Sequence, residues 1–339
     1  MLTVGPFDDF GVLGAGTAFP SRVVTNLEVL RGLPAEAWGN RARVPDGEQL
    51  EFAATAMEQT LGVRERTWSV NESTLDLAKV AASRALADAG LKSVDLVVVA
   101  SSTPHRWTST LSAPLGASLG LSCPCFDVRT GCAAGLFGLA QAGLFHEGGA
   151  RHVLLVGTET FSKVIPRQSK MAAVSLADGA GALVLGPVSG ARLRGVSMNT
   201  DGSLAGLVYT SGALPPTREE IERGGYVLSG DAEGLRETVP LKYEAAIRAV
   251  LERAGLGAAD VDAYVPHQTS KDVIHEVCRR LGIPTGRAFM NLHRHANIGA
   301  AGWVVAVAEA RAETLKQGQR VLIAAVGGGM SWGAALWEW

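Results

Sequence analysis

A chain of 339 residues, 47% hydrophobic and 19% charged, can bury a large core, and this composition excludes a disordered or highly charged adaptor protein. A formal net charge of -2 speaks against nucleic acid or an anionic membrane as the main partner, and no apolar run reaches the ~18 residues of a membrane span. The acidic opening MLTVGPFDDF is unlike a secretory signal, so a cytoplasmic location is expected, and four cysteines are too few for a disulfide framework.

In chain order, the stretch over about 32–50, rich in Gly, Pro and charge, reads as a surface excursion. Leu75 to Ala89 has helical apolar spacing and closes at Gly90. VDLVVVA (94–100) follows as a buried strand, too short for a helix of that apolarity. Cys123-Pro124-Cys125 lacks the spacing of a zinc site. In DVRTGCAAGLFGLA (127–140), a strand end gives way to a tight turn, Arg129-Thr130-Gly131, and then to a helix of small residues beginning beside Cys132. HVLLVG (152–157) and GALVLG (181–186) are two more buried strands. A second helix, Leu241 to Ala254, closes at Gly255 and leads into the strand VDAYVP (261–266), and RVLIAAVG (320–327) is the last predicted strand.

The segments LAKVAASRALADAGLKSVDLVVVASS and YEAAIRAVLERAGLGAADVDAYVPHQ share one order: helix, Ala-Gly-Leu, an Asp-containing turn, buried strand, polar strand end. That order points to an internal duplication. The expected organisation is two α/β halves, 1–190 and 191–339, with GPVSGARLRG as the crossing segment.

Four places carry chemistry. Cys132 is either an inert packing thiol or a nucleophile, and a helix N-terminus favours the thiolate. His267 follows a buried strand directly, at the sheet edge where α/β folds bind ligands. Asn297, ahead of the Gly/Ala-rich run Ile298-Gly299-Ala300-Ala301, is either an N-cap or a site donor. Gly327-Gly328-Gly329 is either a tight turn or a place where backbone N–H groups approach a ligand.

Taken together, the strand leading to Cys132-Ala133, VPHQ at 265–268, the His295-Ala296-Asn297 motif, ADGAG at 177–181 and GGGMSWGAAL at 327–336, with GVRER at 62–66 and NTDGS at 199–203, resemble the ketoacyl synthase III family of thiolase-fold condensing enzymes. The resemblance covers almost the whole chain. It implies a five-layered αβαβα sandwich, α/β in class, built from two related halves and assembled as a homodimer. It further implies that Cys132 accepts an acyl group, that His267 and Asn297 hold the carbonyl of a second thioester, and that the N–H groups of Cys132 and Gly328 form the oxyanion hole. No metal or bound cofactor is expected; the substrates would be thioesters carried on phosphopantetheine, from acyl carrier protein or CoA. The C-terminal loop has no second cysteine, which disfavours thiolysis.

The implied function is Claisen condensation of a Cys132-bound acyl group with a malonyl- or β-ketoacyl-carrier thioester, in polyketide or specialised lipid biosynthesis. The alternatives are head-to-head condensation of two acyl chains to a pyrone-type product, O- or N-acyl transfer, and a catalytically silent partner subunit. The entrance departs from the family pattern. Thr60 stands where an arginine is expected, leaving Trp38 or Arg41 as a substitute CoA clamp or a carrier protein as donor. Trp107 and Thr108, in PHRWTSTLS (104–112), replace a bulkier primer-pocket segment and suggest a longer acyl chain than acetyl. Lys271, with Arg279 and Arg280, offers either a carrier docking face or a solvated helix surface.

Overall fold

The computed structural model describes residues 1–38, 45–166, 169–210, 212 and 215–339. Its strands are β1 (Leu2–Val4), β2 (Phe7–Ala18), β3 (Val23–Thr25), β4 (Glu65–Thr67), β5 (Leu96–Ala100), β6 (Cys125–Val128), β7 (Val153–Thr160), β8 (Asp178–Thr200), β9 (Val208–Thr210), β10 (Leu228–Gly230), β11 (Ala263–Pro266), β12 (Arg320–Gly327) and β13 (Ser331–Glu338). The α-helices are α1 (Asn26–Arg31), α2 (Gly47–Leu61), α3 (Thr74–Ala89), α4 (Ser112–Ser118), α5 (Ala134–Glu147), α6 (Lys170–Ser175), α7 (Arg218–Glu222), α8 (Ala232–Ala254), α9 (Lys271–Leu281), α10 (Leu292–His295) and α11 (Gly302–Glu313).

The predicted duplication is visible in strand order and sense. In the first half, β6 and β5 pair in parallel, β5 and β7 in parallel, β7 and β8 antiparallel, and β8 and β2 antiparallel. In the second half, an isolated parallel bridge at Ala288 joins β11, β11 and β12 pair in parallel, and the antiparallel pairs β12 with β13 and β13 with β8 follow. One strand closes the first pattern and opens the second: β8 passes through both, with 187–190 less buried between two buried stretches. The expected crossing segment is therefore part of a continuous strand.

Helices α5 and α11 are buried between strands of both halves, with α3 outside the first half and α8, backed by α9, outside the second. Their sequences fit those places. α5 and α11 bear Gly, Ala, Leu and Val on most faces, as a helix enclosed on all sides must. α3 has the expected left-handed Gly90 cap and a capping box at Ser73.

Two elements differ from expectation. α8 begins at Ala232, well before Leu241, and runs through Pro240, whose missing N–H and fixed ring normally end a helix. The excursion over about 32–50 is not simply surface: Leu33 and Trp38 are buried, and its end becomes the 15-residue helix α2. Residues 39–44, including Arg41, lie outside the described residues.

Candidate active site

β6 ends at Val128, Gly131 turns the chain at φ +59°, and α5 begins at Ala134, which leaves Cys132 just ahead of the helix. The end of β12 is pressed against this turn. A Cβ on Gly327 would lie 2.3 Å from the Cys132 nitrogen, and one on Gly131 would lie 2.6 Å from the Gly328 nitrogen. Only glycine permits main chains to approach so closely. The backbone N–H groups expected to form an anion site thus belong to two segments in direct contact.

The acidity of Cys132 runs against expectation. Burial pushes its thiol up to about 12, the Glu159 carboxyl adds to the rise, and its own backbone N–H opposes it. Cys132 precedes the first turn of α5, where the helix field falls away, so loss of water outweighs the dipole.

His267 follows β11 and is fully buried. Its N–H donates to the Ala324 carbonyl at 2.7 Å, while neither ring nitrogen has a partner among the described residues. Desolvation lowers its pKa to about 3, so the imidazole is neutral at ordinary pH, with one nitrogen to donate and one to accept. Gly302, the first residue of α11, lies against this ring; a Cβ there would sit 2.6 Å from Nδ1.

Asn297 is brought to the same neighbourhood by the turn that leads into α11. Its backbone is tied to Ser175 and Ala177, and its Oδ1 accepts from the Gly299 N–H at 2.8 Å. The capping reading therefore holds for the oxygen, while the Nδ2 donors have no partner among the described residues. The preceding residue, Ala296, is held at φ +52°, ψ -151°, a conformation seldom adopted by a residue with a side chain.

Glu159, at the end of β7, was not foreseen from sequence. It is fully buried and accepts from the Ser102 and Thr103 N–H groups, the Thr103 hydroxyl and the Ala300 N–H. Burial raises its pKa to about 7 against those hydrogen bonds. It joins the polar end of β5 to the Asn297 turn beside Cys132. Its sequence signal is an acid between two threonines at the end of a strand that begins VLLVG.

Trp38 is buried beneath the Lys170 ammonium, 4.7 Å from the ring centroid, in a cavity of about 610 Å³ that Pro45, Glu48, Phe52 and Ala53 also line. Thr60 faces solvent on α2 and bonds only to its own helix. Trp107 and Thr108 are exposed in the loop before α4, and no contact brings them to Cys132. Lys271 donates to the Gln59 carbonyl of α2, while Arg279 pairs with Glu276 and Arg280 with Glu244 and Glu276. Among the described residues no His, Cys, Asp or Glu cluster could hold a metal, and no helix is long and apolar enough to cross a membrane.

A duplicated thiolase-type sandwich whose loops carry a cysteine ahead of one buried helix, a buried neutral histidine just past a strand and an asparagine amide ahead of a second buried helix matches the class of acyl-thioester condensing enzymes. Comparison with known proteins makes this specific. The model of the 3-oxoacyl-[acyl-carrier-protein] synthase III family matches residues 126–202, and that of its C-terminal region matches 251–339. A Streptomyces coelicolor β-ketoacyl-[acyl-carrier-protein] synthase III is 34% identical over 341 residues, covering 97% of each chain. The crystal structure of the Aquifex aeolicus VF5 3-oxoacyl-[acyl-carrier-protein] synthase III superposes with a TM-score of 0.85 at 25% identity, over 99% of this chain and 100% of that one. The priming β-ketosynthase of the R1128 polyketide pathway does so with a TM-score of 0.83 at 29% identity, over 99% and 98%. The chain belongs to the 3-oxoacyl-[acyl-carrier-protein] synthase III family and is an acyltransferase of the β-ketoacyl synthase type.

Proposed function

We propose that this enzyme loads an acyl group onto Cys132 and condenses it with a malonyl-type thioester on an acyl carrier protein, in polyketide or specialised lipid biosynthesis. In the first step Cys132 Sγ attacks the donor carbonyl, the donor C–S bond breaks, and the thiol proton leaves with the departing thiol. In the second, the malonyl carboxylate is lost as CO2, and the resulting carbanion attacks the acyl carbon and expels Cys132. Charge builds on a carbonyl oxygen in both steps. The Cys132 and Gly328 N–H groups would receive it in the first, His267 and Asn297 in the second, in a site where water does not compete.

The observation that carries this reading is the pair of unspent donors. A buried neutral imidazole lies against Gly302, and a side-chain amide fixed through its oxygen stands in the turn that leads into the same helix. Neutral donors suit an enolate that forms without a proton being delivered to it. Likeness to the R1128 priming ketosynthase supports the pathway class. The Trp38–Lys170 pair, an aromatic face with a cation beside it, supports CoA as one source of the donor acyl group. The unpaired outer edge of β6 and the exposed Leu144 and Phe145 support a homodimer as the working unit.

Intact-protein mass spectrometry after incubation with acetyl- through palmitoyl-CoA, and with the same acyl groups on carrier protein, tests the reading. One acyl mass on the wild type and none on Cys132→Ala is expected. Acylation of the alanine variant would overturn it.

A further inference from the structure

Helix α8 directs one phenol into the protein. Tyr243 is 1% exposed, in a row with the buried apolar residues Ile247 and Val250. Phenylalanine would fill that space, whereas a phenol brings a hydroxyl that is unfavourable in a core unless it finds a partner. Its partners lie in the loops of the active site. The hydroxyl donates to the His267 carbonyl at 3.3 Å. The Val326 backbone N–H approaches the same oxygen, and the phenol lies close enough to Cys132 for the two groups to interact electrostatically.

The His267 carbonyl and the Val326 N–H belong to the segments whose spacing matters. His267 carries the unpartnered imidazole, and Val326 precedes Gly327, the residue packed on the Cys132 nitrogen. They are unequally anchored. β12 is held by full ladders to β11 and β13. His267 lies just past the end of β11, with a single N–H bond to Ala324 and its carbonyl accepting from Thr269.

We propose that Tyr243 is a positioning residue for condensation: its hydroxyl holds the His267 carbonyl against the end of β12, keeping the imidazole at a fixed distance from the Cys132 turn. This rests on the reading that His267 acts on the second thioester. Because β12 has its own ladders, loss of the hydroxyl moves His267 and leaves the Gly327–Cys132 contact in place. The two half-reactions should therefore separate.

Tyr243→Phe removes one oxygen and tests this. With acetyl-CoA and malonyl carrier protein as probes, single-turnover acylation of Cys132, read by intact mass, should stay within about twofold of wild type. The condensation kcat should fall about tenfold with KM little changed, the scale of one lost hydrogen bond. A condensation rate near wild type overturns the proposal. So does a parallel loss in both half-reactions, which is the signature of a packing defect. Should Tyr243→Phe fail to fold, Tyr243→Met removes the same hydroxyl with a flexible side chain that adapts to the space and should give the same separation; no separation overturns the proposal. His267→Ala is measured alongside. If it condenses at the wild-type rate, the assignment of His267 is wrong. If it acylates but does not condense, that assignment stands whatever Tyr243 does.

Discussion

Ala296→Gly should stabilise the protein, which is unusual for a substitution that deletes a buried methyl group. Ala296 is 1% exposed and held at φ +52°, ψ -151°, close to a region that is essentially reserved for glycine, and such residues store about 1–3 kcal/mol each. Glycine would release that strain, near the upper end given the ψ value. Against it stand about 0.8 kcal/mol for one buried methyl and about 0.4–1 kcal/mol for the larger entropy of the unfolded glycine chain. The balance is a gain of about 1 kcal/mol, which in a chain this long is a rise in melting temperature of roughly 1–3 °C. Ala296→Val sharpens the test, because a β-branched residue meets the same backbone with more crowding and should destabilise by about 2 kcal/mol or more. Thermal unfolding followed by circular dichroism reads both. A melting temperature that falls for glycine would refute the claim that the turn presenting Asn297 is strained.

Four further outcomes are expected. With the Cys132 thiol at about 12, the thiolate fraction, and with it carboxamidomethylation by iodoacetamide, should climb steadily from pH 7 to about pH 10; a plateau near neutrality would show a helix-stabilised thiolate instead. Since His267 titrates near 3, lost proton affinity keeps it neutral above about pH 4, and condensation of pre-acylated enzyme should show no inflection near 6.5, where an exposed histidine would give one. Gly327→Ala drives a Cβ to 2.3 Å from the Cys132 nitrogen and should slow acylation by about a hundredfold, as a displacement near 1 Å does; Gly286→Ala, which meets nothing within 4 Å, is the control, and equal rates in the two variants would refute the contact. Trp38→Ala should raise KM for acyl-CoA several-fold, about 1 kcal/mol of ring contact, and leave KM for the same acyl group on carrier protein unchanged; a parallel rise for both donors would show that Trp38 does not read the nucleotide.

What could be read from sequence was what local pattern controls. RVLIAAVG matches β12 residue for residue, because a run with no polar interruption admits only a buried strand. The Gly90 and Gly255 stops hold because a left-handed cap is a local demand. Cys132, His267 and Asn297 stood out through neighbours adjacent in the chain, and two of those neighbourhoods, the Cys132 turn and the Gly327-Gly328 run, are in direct contact. What escaped depends on contacts distant in sequence. Helix α2 opens with Pro45-Asp46-Gly47 and exposes Phe52, so the stretch imitates a loop. Lys170 meets Trp38 across most of the first half. The high pKa of Cys132 comes from burial and from Glu159, and neither is written beside it.

The shared strand has a mechanical consequence. Many two-lobed enzymes admit substrate by swinging one lobe about a flexible link, but here β8 is hydrogen-bonded to β2 and β7 on one side of the crossing and to β13 on the other. A swing at that point would shear the ladders on both flanks at once. Access to the half-buried Cys132 must come from segments around it such as β9, whose Val208 lies on Gly328, while the frame that carries Cys132, His267 and Asn297 stays still. Such an enzyme opens at its doors and not at its walls.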